Sequence, residues 1–119
     1  MAILLSFDID GTLELGDPPG GVTIDMVRKA IDMGFIVGSC SDRPLSSQRR
    51  MWASLDIEPD FVASKHQLGL VRAQFDDADA YYHMGDRDTD ESAAKENDFG
   101  FWWHTEAELE PWLELVNSD

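Results

Sequence analysis

The chain has 119 residues, room for one ordinary domain and too few for two independent cores. A hydrophobic share of 43% with 10% aromatics excludes a wholly disordered chain, and no apolar run approaches the length that crosses a bilayer. Twenty-four acids against nine bases leave a net charge of −15, which argues against broad nucleic-acid or anionic-membrane contact.

Sixteen of the acids are Asp and only three of the bases are Lys, a balance that suits a salt-adapted source and a plainly acidic protein equally. Cys40 is the single cysteine, so no internal disulfide can form and a reducing compartment is the simpler expectation. The start, Met1 to Asp8, carries no basic leader, and a cytoplasmic location is expected.

No repeat or linker divides the chain, and a single domain over residues 1–119 is expected. Ala2–Phe7 is a continuous apolar run ending in acids, as in a strand buried on both faces. Asp17–Gly21 is a loop by composition, and Thr23 caps a helix to Met33. Val22, Met26, Val27, Ala30 and Ile31 form its apolar stripe, and Gly34 stops it. Phe35–Cys40 is a second strand, and Pro44 opens a helix to Leu55. Asp60–Ala63 is a third strand, followed by a helix over Gln67–Phe75. Ala80–Met84 is a fourth strand, Asp88 or Thr89 starts a helix to Asn97, and Phe99–Trp103 is a fifth strand. Thr105-Glu106-Ala107-Glu108 has the spacing of a capping box, with a last helix expected from Thr105 to Val116.

Alternation of this kind implies right-handed crossovers and an α/β fold: a doubly wound, Rossmann-like parallel sheet between two helical layers. Ligands of such sheets sit outside the carboxyl ends of the strands. The polar residues fall there. Asp8 and Asp10, two apart at the end of the first strand, are expected to share a face. Close carboxylates repel unless a cation lies between them, and hard oxygen ligands suit Mg²⁺. Ser41, at the end of the second strand, is followed by Asp42-Arg43-Pro44; Ser39 lies one step deeper on the same face. Lys65 follows the third strand, and the fourth runs into Gly85-Asp86-Arg87-Asp88-Thr89-Asp90. An acid such as Asp90 is well placed in the first turn of a helix, and Asp88 reads as solvated or capping. His66, His83 and His104 have no metal-ligand spacing and read as structural or surface residues. Trp52, Trp102, Trp103 and Trp112 read as core or interface packing.

Phe7-Asp8-Ile9-Asp10-Gly11-Thr12-Leu13 resembles the first motif of the haloacid dehalogenase-like (HAD) hydrolase superfamily. The segment ending in Ser41-Asp42-Arg43-Pro44 is similar to the second motif, and Gly85-Asp86 with Asp90 to the fourth. The third motif supplies a cation, matched by Lys65 from its position and by elimination of Lys29 and Lys95, with Arg72 as the fallback. Lys65-His66 lacks the proline that often follows in that family. The resemblance spans about residues 2–103 and implies the strand order 3-2-1-4-5.

It further implies a Mg²⁺-dependent phosphomonoester hydrolase, with Asp8 as nucleophile and Asp10 as general acid and base. Metal ligation then falls to Asp8, the Asp10 carbonyl, Asp86 and waters, with Asp90 supporting that sphere. Gly11, Thr12, Ser41, Asp42 and Arg43 fall to the substrate, with Ser41 and Lys65 on the phosphoryl oxygens. Leu13–Gly21 and Pro44–Asp60 leave no room for a cap domain, so the site is expected to be open. The expected partner is a small phosphorylated metabolite, a class that favours a homo-oligomer. A macromolecular substrate, a non-catalytic binding module, a receiver-like domain and a phosphotransferase are the alternatives.

Overall fold

A computed structural model describes residues 2–116, with the side chain of Val116 left out. Five strands form one all-parallel sheet, β1 (Ile3–Phe7), β2 (Ile36–Ser41), β3 (Phe61–Ser64), β4 (Ala80–Gly85) and β5 (Gly100–Trp103). Their spatial order is β3-β2-β1-β4-β5, as expected of a doubly wound sheet. Helices α1 (Ile24–Asp32), α2 (Leu45–Ser54), α3 (Leu68–Gln74), α4 (Asp88–Glu96) and α5 (Trp112–Val116) complete the chain.

Strand alternation sorts the core into two layers. Ile3, Leu5 and Phe7 face one way with Val37 and Met84, packing on Val27 and Ala30 of α1, Met51 and Trp52 of α2, and Trp112. Leu4 and Cys40 face the other way with Tyr81, against Leu68 and Val71 of α3 and Ala94 of α4. The result is a three-layer sandwich, and no connection among the described residues carries a further domain. Among those residues no helix is long and apolar enough to cross a membrane.

Local signals explain most boundaries. Thr23 accepts a hydrogen bond from the Met26 N–H at 3.2 Å, and Gly34 leaves α1 at φ +95°. β3 begins one residue later than expected. Asp60 precedes it with both its backbone N–H and a side-chain oxygen turned to Val37, at 2.8 and 2.9 Å. Asp88 opens α4 without being its cap: the Arg87 N–H is met instead by Asp90 reaching back at 3.3 Å.

The last helix is corrected in two ways. His104–Leu109 is a 3-10 turn, and Glu106, not Glu108, reaches back to accept from the Trp103 N–H at 2.8 Å. Pro111 bars helix continuity, Glu110 turns left-handed at φ 42°, and α5 starts afresh at Trp112.

Trp52 and Trp112 are fully buried; Trp102 is half-buried and stacks on Tyr82 with ring centres 4.4 Å apart. Trp52 also donates its indole N–H to the Ser39 hydroxyl at 3.0 Å. Trp52→Ala is expected to destabilise the chain by about 3–5 kcal/mol, read by urea denaturation, because it removes both packing and a buried donor. A loss under about 1 kcal/mol would mean that α2 does not anchor this layer.

Candidate functional site

The tips of β1 to β4 deliver polar groups to the same end of the sheet. Just past β1, Asp8 continues the ladder by donating its N–H to Met84 O at 3.0 Å and is 4% exposed. Past β4, Asp86 and Asp90 approach it, and one oxygen of each of the three carboxylates lies within 4.8 Å of the others. Lys65 enters from a 3-10 turn, Lys65–Gln67, directly after β3. Its buried ammonium stands 3.7 Å from Asp8, 3.4 Å from Asp42 and 3.2 Å from Asp90. The position given to Lys65 by elimination is therefore one of direct contact with the acidic cluster.

Two glycines make the crowding feasible. A Cβ on Gly11, at φ +80°, would collide with the Asp86 carboxylate, and one on Gly85 would collide with that of Asp90.

The carboxylates differ in what they have left to offer. Asp90 is saturated. Its Oδ1 meets His83 Nε2 at 2.9 Å and the Lys65 ammonium, while its Oδ2 accepts the Asp86 and Arg87 N–H groups at 3.3 Å. Asp86 is the opposite case: its Oδ1 is buried with no hydrogen-bond partner. An orphaned carboxylate oxygen among hard oxygen donors fits a divalent cation of the Mg²⁺ class. Asp8 and Asp86 are the side chains free to hold it, and Asp90 supports them from behind.

Burial pushes the Asp8 carboxyl up to about 8; the Asp90 charge adds to the rise and Lys65 opposes it. Burial also works against ionised Asp90, but the bonds from His83 and Lys65 outweigh it and hold that carboxyl low. For Lys65, burial is outweighed by Asp8, Asp90 and Asp42, which keep the ammonium charged.

Asp10 does not join the acidic cluster, contrary to the expected Asp8–Asp10 pair. The chain leaves the strand at Phe7, so alternation no longer governs the two acids. Asp10 takes a bidentate contact from Arg43, Nε to Oδ2 at 2.9 Å and a terminal nitrogen to Oδ1 at 2.5 Å. It also accepts the Asp17 N–H at 2.8 Å. That Arg43 bond holds the Asp10 carboxyl below its usual range. Arg43 is thus a partner of the site's own acid.

Ser41 is buried; its oxygen accepts the Arg43 N–H at 3.1 Å, leaving its own proton to donate. Ser39 is spent internally, donating to Gln48 Oε1 at 2.7 Å. Thr12 is wholly buried with an unpartnered hydroxyl, so it is not presented to the open side of the site. Asp42 is exposed, Asp88 is solvated, and His66 is on the surface. Cys40 is buried, and that burial pushes its thiol up to about 12, an inert group.

Two buried contributors were not singled out as functional from the sequence. Gln48, on the inner face of α2, donates to the carbonyls of Arg43 and Ala63 at 3.0 Å, tying the β2 turn to β3. His83, inside β4, holds Asp90. A polar residue on an otherwise apolar inner face is the signal for both. A surface concavity of about 680 Å³ lined by Arg49, Trp52 and Phe61 lies at the amino end of β3, away from this chemistry.

Comparison of the chain with protein-family models, curated proteins and solved structures finds no match. The fold and the acidic cluster define a doubly wound α/β protein with a polar site at the strand tips.

Without a cation, Asp8 keeps its proton up to about pH 8, whereas in the unfolded chain it ionises near 3.8. The folded state thus holds the extra proton between those values, and stability of the cation-free protein falls as pH rises through that window. Mg²⁺ binding at pH 6–7 is expected to release up to about one proton per ion and to tighten as pH rises toward 8. Calorimetry in two buffers of different ionisation enthalpy reads this directly; binding with no proton release would remove Asp8 from the ligand set.

Proposed function

We propose that this chain is a phosphomonoester hydrolase of the HAD-like type that works through an aspartyl-phosphate. One observation carries the reading: Asp8, the first-motif acid, lies against both Lys65 and the Asp86–Asp90 pair, each from a different strand tip. That convergence is what in-line phosphoryl transfer to a carboxylate needs, with positive charge beside a positioned nucleophile.

In the first step an Asp8 oxygen bonds to phosphorus as the ester P–O bond breaks, and Asp10 gives its proton to the leaving oxygen. In the second step a water, deprotonated by Asp10, attacks phosphorus and the bond to Asp8 breaks, releasing phosphate. Lys65 and the Ser41 hydroxyl hold phosphoryl oxygens as charge shifts among them. Asp8, Asp86 and the Asp10 carbonyl would hold Mg²⁺, which would supply neutralisation of the phosphoryl charge. Arg43 sets a condition on this scheme. While its guanidinium grips both Asp10 oxygens, that acid stays ionised, so the clamp has to open before Asp10 can carry a proton.

The substrate class proposed is a small phosphorylated metabolite in a cytoplasmic setting. The net charge of −15 disfavours nucleic-acid ends, and a lid for so small a ligand would come from a second copy of the chain. A macromolecular phosphoester or a non-catalytic binding role is the alternative.

Phosphate release from an aryl phosphate and a metabolite panel tests the reading. Hydrolysis is expected with Mg²⁺, to be abolished by EDTA, and to fall at least ~10³-fold in Asp8→Asn. Release at the parent rate in Asp8→Asn would exclude the aspartyl-phosphate route. No release from any substrate, with Mg²⁺ bound, would favour the binding role.

A further inference from the structure

β4 reads Ala80-Tyr81-Tyr82-His83-Met84-Gly85, and His83 is wholly buried in its middle. A buried imidazole needs partners at both nitrogens, and both are present. Nδ1 lies 2.8 Å from the hydroxyl of Ser6, the residue paired with it across the β1–β4 ladder. Nε2 lies 2.9 Å from Asp90 Oδ1. An ionised carboxylate only accepts, so Nε2 donates its N–H to Asp90, and Nδ1 is satisfied by the Ser6 hydroxyl.

The chain of contacts continues outward. Asp90 shares Oδ1 between His83 and Lys65, and its Oδ2 receives the Asp86 and Arg87 N–H groups. Asp90 also packs against Gly85, where any Cβ would meet its carboxylate. One buried carboxylate thereby sets both the turn that carries Asp86 and the ammonium that faces Asp8. Its orientation is fixed from the sheet by a single side chain, His83.

We propose that His83 is a positioning residue: through Asp90 it holds the Gly85–Arg87 turn and Lys65 in the arrangement that presents Asp86 and Asp8 to a cation. Without the imidazole N–H, Asp90 Oδ1 keeps only the lysine, and the carboxylate is free to turn away from the two backbone groups. Groups hydrogen-bonded behind a metal's ligands typically shift affinity by about 10–100-fold when removed. The proposal rests on the hydrolase reading for its kinetic consequence alone.

The test compares His83→Leu, which removes both bonds at similar volume, with His83→Gln, which keeps an N–H able to reach Asp90. Amide hydrogen exchange at Asp86 and Arg87, and calorimetric Mg²⁺ affinity, are read on the full chain. His83→Leu is expected to speed exchange at those two amides selectively and to weaken Mg²⁺ binding by about 10–100-fold. It should lower kcat while KM moves little, and His83→Gln should recover most of each loss. Parent-like exchange and affinity in His83→Leu would overturn the proposal, as would uniform loosening of the whole sheet that Gln fails to rescue. Should His83→Leu not fold, His83→Asn replaces it, since its amide stops a methylene short of Asp90; loss there supports the role and parent behaviour overturns it. A parent protein that releases no phosphate fails the hydrolase reading, and the exchange comparison still decides His83.

Discussion

Three carboxylates and one ammonium share the carboxyl edge of this sheet, and their mutual repulsion is the constraint that the surrounding structure answers. Two buried acids a few ångströms apart cannot both ionise without compensation. The fold compensates Asp90 fully, with Lys65, His83 and two backbone donors. It leaves Asp8 under-compensated, with Lys65 farther away at 3.7 Å, and it leaves an Asp86 oxygen with no partner at all. On the proposed reading, unequal treatment of three similar groups separates support from function. The satisfied acid is scaffold, and the unsatisfied pair is where a cation has most to contribute.

The architecture was legible because buried parallel strands announce themselves as apolar runs that stop at polar tips. Ile3–Phe7 and Ile36–Ser41 are bounded that way, and Thr23 and Gly34 mark α1 through cap chemistry that acts over a few residues. The end of the chain was less legible for the same reason. Two overlapping acids, Glu106 and Glu108, both have plausible capping spacing, and the choice falls to whichever backbone N–H the turn leaves free. That depends on β5 ending at Trp103, a tertiary outcome. Pro111 breaks the helix locally, because it has no N–H to donate and α5 can only start after it.

Within the site, the residues legible from sequence are those that stand at strand tips. Asp8, Ser41, Lys65 and Asp86 occupy the same end of the sheet because a parallel sheet puts every tip there. Side-chain direction beyond a tip was not legible. Asp10 lies past the last strand residue, where period-two alternation ceases, and Arg43 captures it from across 33 positions of sequence. His83 and Gln48 were hidden differently. Each is a polar residue in an apolar stretch, which shows that a partner must exist but not which distant residue supplies it. Register supplies Ser6 to His83, and helix docking supplies Asp90.

The clamp between Arg43 and Asp10 bears on how an acidic chain could handle an acidic substrate. At a net charge of −15 the long-range field repels phosphate esters, so attraction has to come from cations at short range. On the proposed reading Lys65 and Arg43 supply it, and both are held by carboxylates of the site itself. Such pairing holds the guanidinium and the ammonium against the strand tips. For the proposed chemistry it also makes them exchangeable: a phosphoryl dianion offers Arg43 the same two-oxygen fork that Asp10 does. Exchange would release Asp10 from the charge that keeps it ionised as substrate arrives, coupling the acid's readiness to occupancy.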